Sequence, residues 1–138
     1  MKLFLDANVI YSAAKSISGA SFAIFQLKIK FKINLISSKL ALVEAERNIF
    51  DKEDYKVVEG FYQVIKTIKF ISVDSKKAKI FYKNVIEEKD TPILYGAKQS
   101  KADFLITLDK KHFFTEKMKN KKFLFKIMTP GNFIMSLK

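Results

Sequence analysis

Carboxylates are scarce in this chain, 14 against 26 lysines and arginines, so the places where they fall are informative. Asp6 ends the apolar run Leu3-Phe4-Leu5. Asp90 stands just before Thr91-Pro92, and Asp109 lies just beyond the apolar run Phe104-Leu105-Ile106. A further acid sits in the segment after Ile36: Glu44, although Glu46 serves almost as well on helical periodicity. If neighbouring strands of one sheet end together, three or four such carboxylates repel one another unless a cation neutralises them. Oxygen ligands without cysteine or an assigned histidine suit Mg²⁺ or Mn²⁺ rather than zinc. Within a positively charged surface, such a site fits phosphodiester hydrolysis. Lysines hold the backbone, and a metal activates water and stabilises charge on the phosphate.

Each of these residues also has a structural role open to it. Asp90 is a good N-cap, worth about 1 kcal/mol, and can be cap and ligand at once. Asp109 can be a turn residue before Lys110-Lys111. Asp103 is expected at the opposite end of its strand, in a structural role. Asn8 and Thr107 either hydrogen-bond the carboxylates or a metal-bound water, or serve as ordinary turn and strand residues. His112 is the only histidine; beside Phe113 and Phe114 it reads as a packing residue rather than a general base. Lys110 and Lys111 lie near the expected rim and are candidate phosphate contacts.

The elements that must position these groups are legible in outline. Lys2 to Leu5 reads as a strand and Val9 to Lys15 as a helix. A second helix begins at Ala20 and runs to about Lys30; a strand follows at Ile33 to Ile36, after an alternating stretch from Leu27 to Leu35. Ser37 or Ser38 caps a helix to about Phe50, and Tyr55 to Thr67 forms the next, with a broad apolar stripe. Phe70 to Val73 reads as a strand. Ser75 caps a helix that turns Ala78, Phe81 and Val85 inward. Asp90 starts a helix with Pro92 in its first turn and with Ile93, Leu94 and Ala97 facing inward. Phe104 to Ile106 and Leu124 to Met128 are strands, and Thr129-Pro130 opens a small terminal helix. Strands alternating with helices predict an α/β fold: a mostly parallel sheet covered on both faces, with ligands at the C-terminal ends of the strands.

Composition bounds the function. A chain of 138 residues is expected to form one domain, residues 1–138. With no cysteine, disulfides, thiolate catalysis and cysteine-based metal centres are excluded. No run of about eighteen apolar residues occurs, so neither secretion nor membrane spanning is expected, and a cytoplasmic protein is the expectation. The net charge of +12 favours a polyanionic partner, nucleic acid above all. Arg47 is the only arginine. Lysine meets phosphate as a point charge, whereas reading of guanine edges usually takes arginine; backbone-driven, salt-sensitive binding is therefore expected.

Four segments in register resemble the PIN-domain proteins, and within them the VapC-like toxin ribonucleases: Leu5-Asp-Ala-Asn-Val-Ile10, the segment Ile36 to Ile49, the segment Asp90 to Phe113, and Lys126 to Ile134. They cover most of the chain. The resemblance implies a Rossmann-like three-layer α/β/α sandwich. It selects Glu44 over Glu46 and implies a metal-dependent endoribonuclease with Asp6, Glu44, Asp90 and Asp109 holding Mg²⁺ or Mn²⁺. It further implies a homodimer, an RNA substrate and a small antitoxin that covers the acidic cleft. Two other functions stay open: a PIN-like protein that binds RNA or a partner without cutting, and a PIN nuclease of RNA processing outside any toxin–antitoxin pair. A phosphatase of the haloacid-dehalogenase type also begins on a strand-end Asp, but it normally has a second Asp two positions on, where this chain has Asn8.

Overall fold

A computed structural model describes residues 1–137. Five strands, β1 (Lys2–Leu5), β2 (Asn34–Ser38), β3 (Ile68–Ile71), β4 (Phe104–Ile106) and β5 (Lys126–Met128), form one all-parallel sheet in the order β3-β2-β1-β4-β5. The chain builds outward from β1 through β2 to β3, then returns to the other side of β1 for β4 and β5. That reversal between β1 and β4 is the switch point at which open parallel sheets bind ligands.

The helices are α1 (Ala7–Lys15), α2 (Ala20–Gln26), α3 (Lys39–Lys52), α4 (Tyr55–Ile65), α5 (Ser75–Phe81), α6 (Thr91–Gln99), α7 (Lys110–Phe113), α8 (Glu116–Lys119) and α9 (Pro130–Ser136). Alternate strand residues feed two cores, as the pleat requires. Leu3, Leu5, Leu35 and Ile106 meet α1 through Val9 and Ile10, and also Ile24, Ile49, Phe61 and Phe133. On the other face Phe4, Ile36 and Leu105 meet Leu94 and Ala97 of α6, with Tyr82, Phe113 and Met118. The expected α/β/α sandwich is the architecture found.

Helix α6 lies against β1 more closely than a side chain at one position would allow. A Cβ at Gly96 would sit 2.4 Å from Cζ of Phe4, and Phe4 is fully buried, so its ring has nowhere to swing.

Several boundaries differ from the sequence reading. The helix expected to run to about Lys30 is shorter: α2 ends at Gln26, residues 27–32 form tight turns that end with Lys32 at φ 53°, and only the end of the Leu27–Leu35 alternation, from Asn34, is strand. Strand β2 then runs past Ile36 through both serines, because Ser37 is tied to Leu5 by its hydroxyl, which donates to the Leu5 carbonyl at 2.6 Å. Helix α4 ends at Ile65, so β3 begins two residues earlier than expected, with Ile68 paired to Leu35. Asp74, not Ser75, caps α5, accepting from the Lys76 and Lys77 amides. Phe81 was expected in the core but is 55% exposed, its ring edge-on to Tyr82 and Tyr95. Val85, past the end of α5, is half-buried against the second core. Strand β5 starts at Lys126 rather than at Leu124, and α7 and α8 occupy what read as a plain connection.

Candidate active site

Leu5 and Ile106 are register partners, so the residues that follow them, Asp6 and Thr107, emerge side by side where β1 and β4 end. The chain then turns away in both places: Asp6 caps α1 with extended backbone, and its amide donates to the Ile106 carbonyl at 3.0 Å. Its carboxylate is held on both oxygens. Oδ1 accepts from the Ala7 amide at 2.7 Å, and Oδ2 accepts from the Thr107 hydroxyl at 2.8 Å and from Asn8 Nδ2 at 3.3 Å. Asn8 closes the unit, its Oδ1 accepting from the Leu108 amide at 3.0 Å. Asn8 and Thr107 thus bind the carboxylate and clamp the two strand ends together.

Asp6 is only 7% exposed. Burial pushes its carboxyl up to about 6; the hydrogen bonds from Thr107 and Ala7 oppose that rise, and the negative charges of Glu44 and Asp90 add to it. Asp6, Glu44 and Asp90 therefore share one electrostatic neighbourhood. Glu44 stands exposed on α3, a helix fixed by its cap, Ser38 Oγ accepting from the Ala41 amide at 3.0 Å. Glu46 is not among the groups acting on Asp6.

Asp90 departs from the sequence reading. It was expected to cap α6, but a 3₁₀ turn over Glu88–Asp90 runs directly into that helix, and Asp90 has helical backbone and makes no capping bond. The turn's carbonyls take the first amides instead, Asp90 N–H donating to Glu87 at 2.9 Å and Thr91 N–H to Glu88, and the Thr91 hydroxyl also donates to the Glu88 carbonyl at 2.8 Å. The Asp90 carboxylate is thereby released toward the rim. Its Oδ2 is shut off from solvent and has no hydrogen-bond partner; the nearest cationic group is His112, whose Nδ1 lies 3.6 Å away. Burial raises the Asp90 carboxyl, against the pull of His112 and with the push of Asp109.

Asp109 follows from Thr107, whose Oγ1 accepts its amide at 3.1 Å. Its Oδ1 caps α7 by accepting from the His112 amide at 3.1 Å, and its Oδ2 lies 2.7 Å from His112 Nδ1. The other ring nitrogen, Nε2, is 3.4 Å from Glu87 Oε1. His112 is therefore no packing residue, and the sequence reading is corrected: its ring sits among three carboxylates, and the Asp109 bond together with the neighbouring charges raises it above its ordinary value. Glu87 was not singled out in the sequence either. The signal for His112 was present, an aspartate and histidine three residues apart, but it needs the helical turn of α7 to bring them together. Glu87 is an exposed acid ahead of a 3₁₀ turn, and nothing in its spacing marks it.

One continuous rim results, running from Asp6 through Thr107 to Asp109, His112, Asp90 and Glu87, with Glu44 near enough to act on Asp6 by charge. Lys110 and Lys111 are exposed on α7 beside it. Asp103 stays at the far end of β4, where its carboxylate accepts from the Lys2 amide at 2.8 Å. The orphaned Asp90 oxygen, together with the Asp6 carboxylate raised by burial with two like charges adding to the rise, is the environment a divalent cation relieves.

A five-stranded parallel sheet with acidic side chains gathered at its switch point places the chain among Rossmann-like α/β proteins. Residues 2–111 match the PIN domain family, and the chain belongs to that family. Among solved structures, it is similar to a chain of VapBC2 from Rickettsia felis, described as bound to a DNA fragment from its promoter, with a TM-score of 0.68 and 15% identity over 94% of this chain and 98% of that one. It is also similar to a chain of a toxin–antitoxin complex from Klebsiella pneumoniae, with a TM-score of 0.63 and 13% identity over 93% and 97%. A chain of VapBC-1 from nontypeable Haemophilus influenzae gives 0.62 and 17% over 95% and 99%. No curated protein matches the chain. None of the helices is long and apolar enough to cross a membrane, among the described residues.

Proposed function

We propose that residues 1–138 act as one PIN domain that hydrolyses RNA phosphodiester bonds endonucleolytically with Mg²⁺ or Mn²⁺, as the toxin of a toxin–antitoxin pair. The observation that carries the reading is the acidic cluster itself: Asp6, buried and raised, in the field of Glu44 and Asp90, on a chain whose net charge is +12. Asp6, Glu44 and Asp90 would hold the cation, with Asp109 completing the set that the family resemblance assigns. A bound divalent cation supplies acidification of water and neutralisation of charge on the phosphate. The protein's own part is to fix the carboxylates, through Asn8 and Thr107 on Asp6, and to present Lys110 and Lys111 to the RNA backbone as point charges. The toxin–antitoxin assemblies among the structural relatives support pairing with a small antitoxin that covers the cleft, and the family supports a homodimer.

The test is cleavage of structured RNAs by the purified protein with Mg²⁺ or Mn²⁺, with EDTA, and with Asp6→Asn and Asp90→Asn. Cleavage that needs metal and is lost in both variants is expected. Variants that cut as well as the parent would refute the assignment, and salt-sensitive binding without any cleavage would favour a non-cutting RNA binder.

A further inference from the structure

The rim holds a nitrogen donor that a purely carboxylate site lacks. Ligand atoms of Glu87, Asp90 and His112 lie within 4.8 Å of one another. Donors around a first-row cation bound at about 2.1 Å lie about 3–4 Å apart, so side-chain shifts of less than about an ångström close this set. Two further observations point to a cation here. The Asp90 Oδ2, 3.6 Å from His112 Nδ1 on the Asp109 side of the ring, is cut off from solvent and accepts no hydrogen bond. The imidazole is also already oriented: Asp109 Oδ2 holds Nδ1 at 2.7 Å and leaves Nε2 turned to Glu87. A carboxylate behind a histidine is how proteins fix the tautomer and direction of a metal-ligating ring.

We infer that Glu87, Asp90 and His112 form a cation site that takes nitrogen-preferring divalent ions such as Co²⁺ or Zn²⁺ ahead of Mg²⁺, with Asp109 as the positioning residue behind the imidazole. The chemistry of the donors sets the preference. Mg²⁺ keeps its waters and takes oxygen ligands, whereas an imidazole between two carboxylates suits later first-row metals, whose affinity for nitrogen rises along the series toward copper. Asp90 faces both this site and the Asp6 neighbourhood, so the two would share it. At this second site Asp109 acts through His112 instead of touching the ion.

The inference does not depend on RNA, and its test uses none. Wild type, His112→Gln, Glu87→Gln and Asp109→Asn, each metal-free, are titrated with Co²⁺ at fixed pH while the visible absorption of the bound ion is followed; Mg²⁺ is titrated by calorimetry. Wild type is expected to bind Co²⁺ with a ligand-field band that Zn²⁺ abolishes. His112→Gln and Glu87→Gln are expected to lose at least tenfold in Co²⁺ affinity, and Asp109→Asn about 10–100-fold, while Mg²⁺ affinity changes by less than threefold in His112→Gln. Glu87 is exposed, so its variant tests the site even if loss of the imidazole disturbs the fold. Co²⁺ affinity unchanged in both ligand variants would overturn the inference, and so would a loss of Mg²⁺ affinity in His112→Gln as large as its loss of Co²⁺ affinity. RNA cleavage failing with any metal would leave this binding result intact, and its failure would leave Mg²⁺-dependent cleavage standing.

Discussion

Replacing Asp6 by asparagine should make the metal-free protein more stable above neutral pH. In the unfolded chain this carboxyl titrates near its ordinary 3.8, and in the fold it titrates near 6. Between those values the folded protein binds more protons than the unfolded one, so stability falls as pH rises from about 4 to 6 and stays low above that. The gap corresponds to about 3 kcal/mol, at about 1.4 kcal/mol per tenfold change in proton affinity. Asparagine removes that penalty but keeps only part of the hydrogen bonding. Its oxygen can still accept from Ala7, and the Thr107 hydroxyl can rotate to accept, but Asn8 Nδ2 then faces another donor, a loss of about 1 kcal/mol. The net expectation is a variant about 2 kcal/mol more stable at pH 8 and about 1 kcal/mol less stable at pH 3.5. Urea unfolding in EDTA across that range gives the difference directly, and taking the difference cancels groups that titrate identically in both proteins. Added Mg²⁺ should then stabilise the wild type and not the variant. A difference that does not change with pH, or a variant less stable at pH 8, would refute the reasoning.

Gly96→Ala sets an overpacking cost of about 1–3 kcal/mol against Phe4 against about 1 kcal/mol of helix propensity; a net loss in urea is expected, and a gain would mean that α6 can lift from β1. Ser38→Ala removes the cap of α3 and should lower stability by about 1 kcal/mol, read from the same transition. The His112 pairing, being that of a raised histidine, contributes stability that is complete below about 6.5 and fades as pH climbs through the raised value. Proton NMR should find the imidazole titrating lower in Asp109→Asn, and an unchanged titration would mean that the 2.7 Å contact is not felt in solution. RNA binding should weaken linearly on logarithmic axes with salt, and the double variant Lys110→Ala, Lys111→Ala should flatten the slope by about 1.4 if each lysine meets one phosphate of a single strand.

The fold was readable where periodicity and punctuation agreed. Strands β1 and β4 are short apolar runs ended by polar residues, and the sequence placed both at their observed bounds. It failed over residues 27–32, where a helix carried to about Lys30 gives way to turns ending at Lys32, and around Phe81, where an aromatic at helical spacing lies on the surface. The acidic positions at the strand ends were legible because sheet topology fixes where strand ends go. What His112 and Asp90 do was not legible, since both depend on short elements with almost no sequence signature: the single turn of α7 and the 3₁₀ turn that takes the capping role from Asp90. Local hydrogen bonding decided these two residues, and periodicity does not register it.

The clamp between Asp6 and Thr107 joins positions 101 residues apart, with Asn8 reaching Leu108 across a similar span. Synthesis runs from the N-terminus, so β1, β2 and β3 can leave the ribosome while the side of β1 that β4 will occupy is still bare. Asp6 then lacks Thr107, Asp109 does not yet exist in the cleft, and the rim cannot assemble. Contacts of such long separation also form late and slowly in folding. On the proposed function the nascent chain is inert, because the acidic set is incomplete until Thr107 and Asp109 have emerged. On that same reading, a partner that covers the site would have the time taken to synthesise everything from β1 to β4 in which to be present before there is anything to inhibit.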